Sequence, residues 1–139
     1  MEQDLSEPFV MVDDGMCFAC GDRNPRGLKL KFTVFPQKRR IETTFTLSPE
    51  FQGWRGVVHG GIITTILDEL MAKIAQELGI KAVTASLEVR FKNIARISEE
   101  IRAIGEVTRI EKRLIYAQAQ ACRSDGTVIA EAFGKLLKA

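Results

Sequence analysis

The sequence predicts an α+β fold, with one long central helix wrapped by an antiparallel β-sheet of five to six strands. Three observations carry this. Only one segment, 60–78, shows a sustained helical repeat of apolar residues. After it the apolar repeat changes to every second residue and stays so to the end of the chain. Short polar connections separate the alternating runs, as antiparallel neighbours require.

The elements follow in order. Residues 1–27 read as an irregular arm ending in GDRNPRG, whose Asn24, Pro25 and Gly27 are turn formers. LKLKFTVF (28–35) alternates as a strand, and RRIETTFTL (39–47) is its hairpin partner across Pro36, Gln37 and Lys38. SPEFQGWRG (48–56) is a loop. The helix at 60–78 is closed by Gly79. AVTASLEVRFKN (82–93) places Val83, Ala85, Leu87, Val89 and Phe91 on one face, opposite Thr84, Ser86, Glu88, Arg90 and Lys92. Strands at 99–110, 113–123 and 127–138 complete the sheet, with turns at Glu111-Lys112 and at Ser124-Asp125-Gly126. Residues 28–139 form one domain. No repeat or low-complexity tract interrupts them.

Composition excludes several function classes. A net charge of +2 over 139 residues gives no basic surface fit for nucleic acid. No apolar run is long enough to span a bilayer. The acidic start, MEQDLSEPFVMVDDG, lacks the basic-then-apolar layout of a secretory signal. A cytoplasmic protein with neither membrane nor nucleic-acid partner is therefore expected. Three cysteines, an odd number, argue against a disulfide framework. Cys17 and Cys20 form a CFAC pair, which Cys122 and His59 would have to complete as a zinc site. One CxxC without a second such pair reads first as two small residues in a turn-rich arm. No thioredoxin-like βαβ pattern surrounds it to support redox chemistry. Neither metal nor cofactor is expected.

The segment GVVHGGIITTILDEL (56–70) carries the chemistry. On a helical wheel Ile63, Ile66, Leu67, Leu70, Ile74 and Leu78 form the core stripe, and Glu69, Lys73, Gln76 and Glu77 a polar face. A third face, Gly61, Thr64, Thr65, Asp68, Ala72 and Ala75, is made of small or short residues. Such a face admits close approach by another backbone or a ligand. An acid at its centre is either a solvated surface carboxylate or a group with a partner. The first N–H groups of a helix have no intrahelical acceptor and sit at the positive end of the dipole. Gly60 and Gly61 leave them open to a carbonyl oxygen, the layout of an oxyanion hole for acyl transfer. Asp68 would be nucleophile or general base. Eight residues of helix separate Gly60 from Asp68, about 12 Å. The two can act on one carbonyl only if they come from different subunits, as in a twofold dimer of antiparallel helices.

This segment resembles the central-helix signature of the hotdog-fold thioesterases, in the PaaI-like and THEM4-like branch. His59-Gly60-Gly61 followed by Asp68 matches it, and FQGWRG and CFACGDRNPRGLKLKF extend the resemblance over most of the chain from Cys17 onward. It implies a hotdog fold, a homodimer or dimer of dimers, and hydrolysis of acyl-CoA thioesters. Carried over, Gly60 supplies the oxyanion N–H, Asp68 from the partner subunit is the catalytic carboxylate, and His59 positions rather than abstracts. Ser86 falls where relatives carry a hydroxyl that orients water or the acid. Two positions depart from the pattern. The place of a carbonyl-polarising Asn or Gln is Gly53, so Gln52 would have to serve, and FKNIAR lacks the proline that relatives carry in that turn. Arg90, Lys92 and Arg96 could meet CoA phosphates or be solvated strand charges. Phe51 and Trp54 could line an acyl pocket or be core. The alternatives are a non-catalytic acyl-CoA-binding protein of the same fold, suggested by the displaced Gln52, and an acyl-dehydratase, which the HGG context argues against. No helix-turn-helix precedes the domain to make it a ligand-sensing transcription factor.

Overall fold

A computed structural model describes residues 11–139. The expectation that the acidic start is no secretory signal rests largely on residues 1–10, which lie outside the described ones. Six strands and one helix follow the expected order: β1 (Thr33–Phe35), β2 (Arg40–Phe45), α1 (Gly60–Glu77), β3 (Ala82–Phe91), β4 (Ile101–Ile110), β5 (Leu114–Arg123) and β6 (Val128–Lys138). They form one antiparallel sheet in the order β1-β2-β4-β5-β6-β3. β1 and β3 are its edges, and α1 lies across one face. This is the hotdog architecture. Among the described residues no helix is long and apolar enough to cross a membrane.

The core is the seam between α1 and the sheet. Ile63, Ile66, Leu67, Leu70 and Ile74 are buried from the helix, as its periodicity predicts, and Met71 and Ala75 join them. Ala75 therefore belongs to the core rather than to the small-residue face. From the sheet come Ile41, Ile101, Ile115, Ile129 and Leu136, with a run of buried alanines on β4, β5 and β6. Small residues here let the helix sit close. A Cβ on Gly105 would meet the Leu70 Cβ at 2.9 Å and Ile41 Cγ2 at 3.3 Å. Neither neighbour is the free end of a flexible side chain.

Two elements differ from the sequence reading. β1 begins five residues later than the expected strand. The backbone before it pairs with the arm instead: Leu28 N–H donates to Phe18 O (2.8 Å) and Leu30 N–H to Ala19 O (3.0 Å). The arm is thus stitched onto the domain, and Ala19 is buried in the core. The second difference lies on β3. Its pairing with β6 shifts between Thr84 and Ser86, a bulge at Ala85. A bulge reverses the side-chain alternation. Ala82 and Thr84 face the helix before it, whereas Leu87 and Val89 do so after it, and Val83 is exposed.

Candidate active site

The site is built at the start of α1. His59 is the N-cap residue, and its Nδ1 accepts the Gly61 N–H at 2.9 Å. A Cβ on Gly61 would meet that ring at 3.0 Å (Nδ1) and 3.1 Å (Cε1), so the glycine lets the cap form. The imidazole acts as a backbone acceptor that fixes the first turn, a positioning role. With Gly61 engaged, the neighbouring donor is left open. Among the described residues no acceptor takes the Gly60 N–H. A Cβ on Gly60 would lie 3.5 Å from Phe91 Cζ, an ordinary contact. Glycine at 60 therefore answers no crowding within the chain.

Gly60 opens into a cavity of about 910 Å³ between the helix start, the 53–58 loop and the 91–95 segment. His59, Trp54, Ile63, Phe91, Lys92 and Ile94 are among its walls. Trp54 is 86% exposed and Phe91 54%, so both rings face the opening rather than the core. The cavity has the make-up of a ligand site: apolar walls, a cation, and the open Gly60 N–H at the positive end of an 18-residue helix. That cation, Lys92, has its Nζ 3.4 Å from Glu131.

Asp68 sits two turns further along the same helix, half-buried. Its Oδ1 accepts a hydrogen bond from the Thr84 hydroxyl at 2.6 Å. Thr84, not Ser86, brings the strand hydroxyl to Asp68, because the bulge puts Thr84 on the helix side and leaves Ser86 on the opposite face. There Ser86 lies beside Tyr116 and Lys135, away from Asp68. The neighbouring helix hydroxyls are occupied locally: Thr64 Oγ1 donates to Gly60 O (2.9 Å) and Thr65 Oγ1 to Gly61 O (2.8 Å).

Three further candidate residues lie outside this cavity. The Gln52 side-chain oxygen accepts the Gly56 N–H at 3.1 Å and so closes the 52–56 turn, where Gly56 has φ +77°. The side chain does not reach the cavity wall. Phe51 packs against the hydrophobic core. Arg90 pairs with Glu88 on its own strand at 2.9 Å and is absent from the cavity. Phe91 is the residue sequence reasoning missed, since it reads as the last core position of β3. Its ring extends past the helix start, where no core residue remains to cover it.

Cys122 and His59 do not join Cys17 and Cys20. The two cysteines of the arm converge on Glu69 of α1, and the Cys17 Sγ lies 3.8 Å from both carboxylate oxygens. Glu69 thus lies beneath the arm rather than on an open polar face.

Residues 55–130 match the model of the thioesterase superfamily. The chain belongs to that superfamily. Over 115 residues it is 28% identical to the mouse acyl-coenzyme A thioesterase THEM5, an alignment covering 81% of this chain and 46% of that protein. The chain spans about half the length of the curated relatives it matches. Among solved structures, a hypothetical thioesterase from Streptococcus pneumoniae TIGR4, crystallised with coenzyme A, superposes with a TM-score of 0.75. Its identity is 14%, over 79% of this chain and 85% of that one. The E. coli PaaI protein, from the phenylacetic acid degradation operon, gives a TM-score of 0.74 at 16% identity, over 79% and 83%. At these identities the structural likeness speaks for the fold.

Proposed function

We propose that the chain hydrolyses acyl-CoA thioesters to the free acid and CoA, at a site completed by a second copy of itself. The observation that carries this is the open Gly60 N–H in an apolar cavity, with His59 holding the adjacent donor aside. The thioester carbonyl oxygen accepts from the Gly60 N–H, where the helix dipole favours the charge that develops on tetrahedral addition. Asp68 is on the same helix and too far away to serve that carbonyl, so the carboxylate is Asp68 of the partner subunit. β3 is an edge strand, and pairing two β3 edges about a twofold axis would set two α1 helices antiparallel, with two sites per dimer. The carboxylate either adds to the carbonyl carbon, giving an anhydride that water opens, or takes a proton from the attacking water. In both routes the C–S bond breaks, the CoA thiolate takes up a proton, and one water is consumed. Thr84 holds the carboxylate in place. Trp54 and Phe91 line the acyl or pantetheine path, and Lys92 offers charge to the phosphates.

The test is thiol release from a panel of short, medium, long-chain and aromatic acyl-CoAs by wild type and Asp68→Ala. Wild type should turn over at least one class, and the variant should lose nearly all of that activity while remaining a folded oligomer. An Asp68→Ala protein with wild-type turnover would remove the assigned role. A second reading, acyl-CoA binding without hydrolysis, draws on Gln52, whose oxygen accepts from Gly56 and whose side chain lies outside the cavity, where its amide N–H would have to donate to a carbonyl. It requires calorimetric binding of an acyl-CoA that neither protein cleaves.

A further inference from the structure

The CFACG turn takes no part in the thioester site, yet it is built to strict geometry. A Cβ on Gly21 would meet Cys17 N and Gly15 O, each at 2.4 Å, so only glycine closes the turn. The Gly21 N–H donates to Cys17 O at 2.8 Å. Leu28 and Leu30 then pin the intervening Phe18 and Ala19 to the start of the domain. The result points two thiols, three residues apart, at one carboxylate of α1. One ligand atom each from Cys17, Cys20 and Glu69 lies within 4.8 Å of the others, all half-buried.

We propose that Cys17, Cys20 and Glu69 form a binding site for a divalent, thiol-seeking cation of the zinc class, with a fourth position left to water. Ordinary Zn–S and Zn–O lengths at tetrahedral angles place sulfur and oxygen about 3.6 Å apart and the two sulfurs about 3.8 Å apart. The observed Cys17 Sγ to Glu69 oxygen distance is 3.8 Å. Cys17 and Glu69 thus stand near coordinating separation, and the Cys20 sulfur lies within 4.8 Å of both. Two thiolates with one carboxylate select a borderline-soft ion over magnesium or calcium. The fourth position faces a cavity of about 760 Å³, with Asp13, Asp14, Met16 and Lys73 among its walls. The two aspartates are engaged locally, Asp13 with Gly15 N–H and Asp14 with Met16 N–H. Lys73 is 3.7 Å from Glu77, a carboxylate other than the proposed ligand. Without a cation, burial first, then the Glu69 carboxylate beside it, pushes the Cys20 thiol upward, and burial likewise raises Glu69. A dication compensates the three ligands together and releases their protons. Its structural effect is to tie the arm to the helix that carries Asp68.

The inference stands apart from the thioesterase reading, and its test needs no substrate. The full chain is expressed with zinc, desalted, and assayed for bound metal and free thiols. About one zinc per chain is expected. Cobalt exchanged into the site should give a thiolate-to-metal charge-transfer band and the strong visible bands of a tetrahedral ion. Cys20→Ser should halve the charge-transfer intensity. Glu69→Gln keeps both thiolates, and so the band, but should weaken cobalt binding at least about tenfold. Cys122→Ser should change nothing, which separates the site from the remaining thiol. Three results would overturn the proposal. One is wild type that retains no zinc, gives no cobalt band and has freely reactive arm thiols, which makes the cluster a metal-free thiol–carboxylate contact. Another is an arm peptide two mass units light, which makes it a disulfide. The third is a band that survives the double Cys17→Ser, Cys20→Ser change.

Discussion

Gly60→Ala separates the catalytic reading of the helix start from a structural one, because the two predict opposite effects on stability and turnover. Within the chain the added methyl has room: its nearest neighbour is Phe91 Cζ at 3.5 Å. Gly60 is the first residue of an exposed helix start. Alanine there loses less backbone entropy on folding than glycine, a gain of up to about 1 kcal/mol. For a chain of this size that raises the melting temperature by up to about 4 °C. A carbonyl oxygen accepting from the Gly60 N–H must approach over the position the methyl would fill. Loss of one oxyanion donor costs about 10²–10³ in kcat. The expectation is a protein as stable as wild type or more so, with turnover down by about that factor. Differential scanning fluorimetry and thiol release on one preparation read both. Gly60→Ala with turnover within about threefold of wild type would refute the reasoning that glycine at 60 is needed to clear the approach to that donor, since alanine keeps the N–H itself. Gly61→Ala is the internal comparison. Its methyl meets the His59 ring at 3.0 Å, so it disturbs the cap, and the cap loss of about 1 kcal/mol offsets the helical gain.

Two further outcomes follow from single contacts. Thr84→Val removes the hydroxyl that donates to Asp68 at 2.6 Å; kcat should fall about tenfold and Thr84→Ser should restore most of it, whereas equal loss in both variants would mean that the hydroxyl does not position the acid. Glu42 accepts from Arg102 (2.8 Å) and pairs with Arg40 (2.7 Å); burial alone would raise its carboxyl, but the two guanidinium groups outweigh this and hold it below its ordinary 4.5. A carboxyl depressed on folding contributes stability above its unfolded value and loses it as pH falls through the folded value. Wild type should therefore be more stable than Glu42→Gln by up to about 1 kcal/mol near neutrality, and the gap should close below pH 4.5. Denaturant melts across that range check the sign, and a gap constant with pH would contradict it.

The sequence made the elements legible because each carries a period over most of its length. The repeat through Ile63, Ile66, Leu70 and Ile74 buries one side of α1, and the alternating runs after it become β4, β5 and β6. It failed where a period breaks without a marker. Nothing in TASLEV announces the bulge at Ala85, and one extra residue moves Thr84 to the helix side while Ser86 stays on the opposite face. Gln52 sits one residue before the place of the family's amide, and no local pattern in the sequence announces the five-residue turn in which its oxygen accepts from Gly56. Phe91 obeys its alternation, yet it lies beyond the end of the helix that would have covered it.

The convergence of Cys17 and Glu69 lies further out of reach, because 52 residues separate them and no local pattern couples an arm to one helical face. Only their tertiary placement reveals that consecutive acids of α1 have different partners. Successive helical side chains point about 100° apart. Asp68 is therefore turned toward the β3 edge and held by Thr84, while Glu69 is turned toward the arm and held by its thiols. Contacts on both flanks resist rotation of α1 about its own axis, as the buried stripe beneath it does. The helix start depends on that orientation: Gly60 faces the cavity only while Asp68 faces the β3 edge. An arm clamped to Glu69 thus bears on a site it does not touch, through the rigidity of one helix.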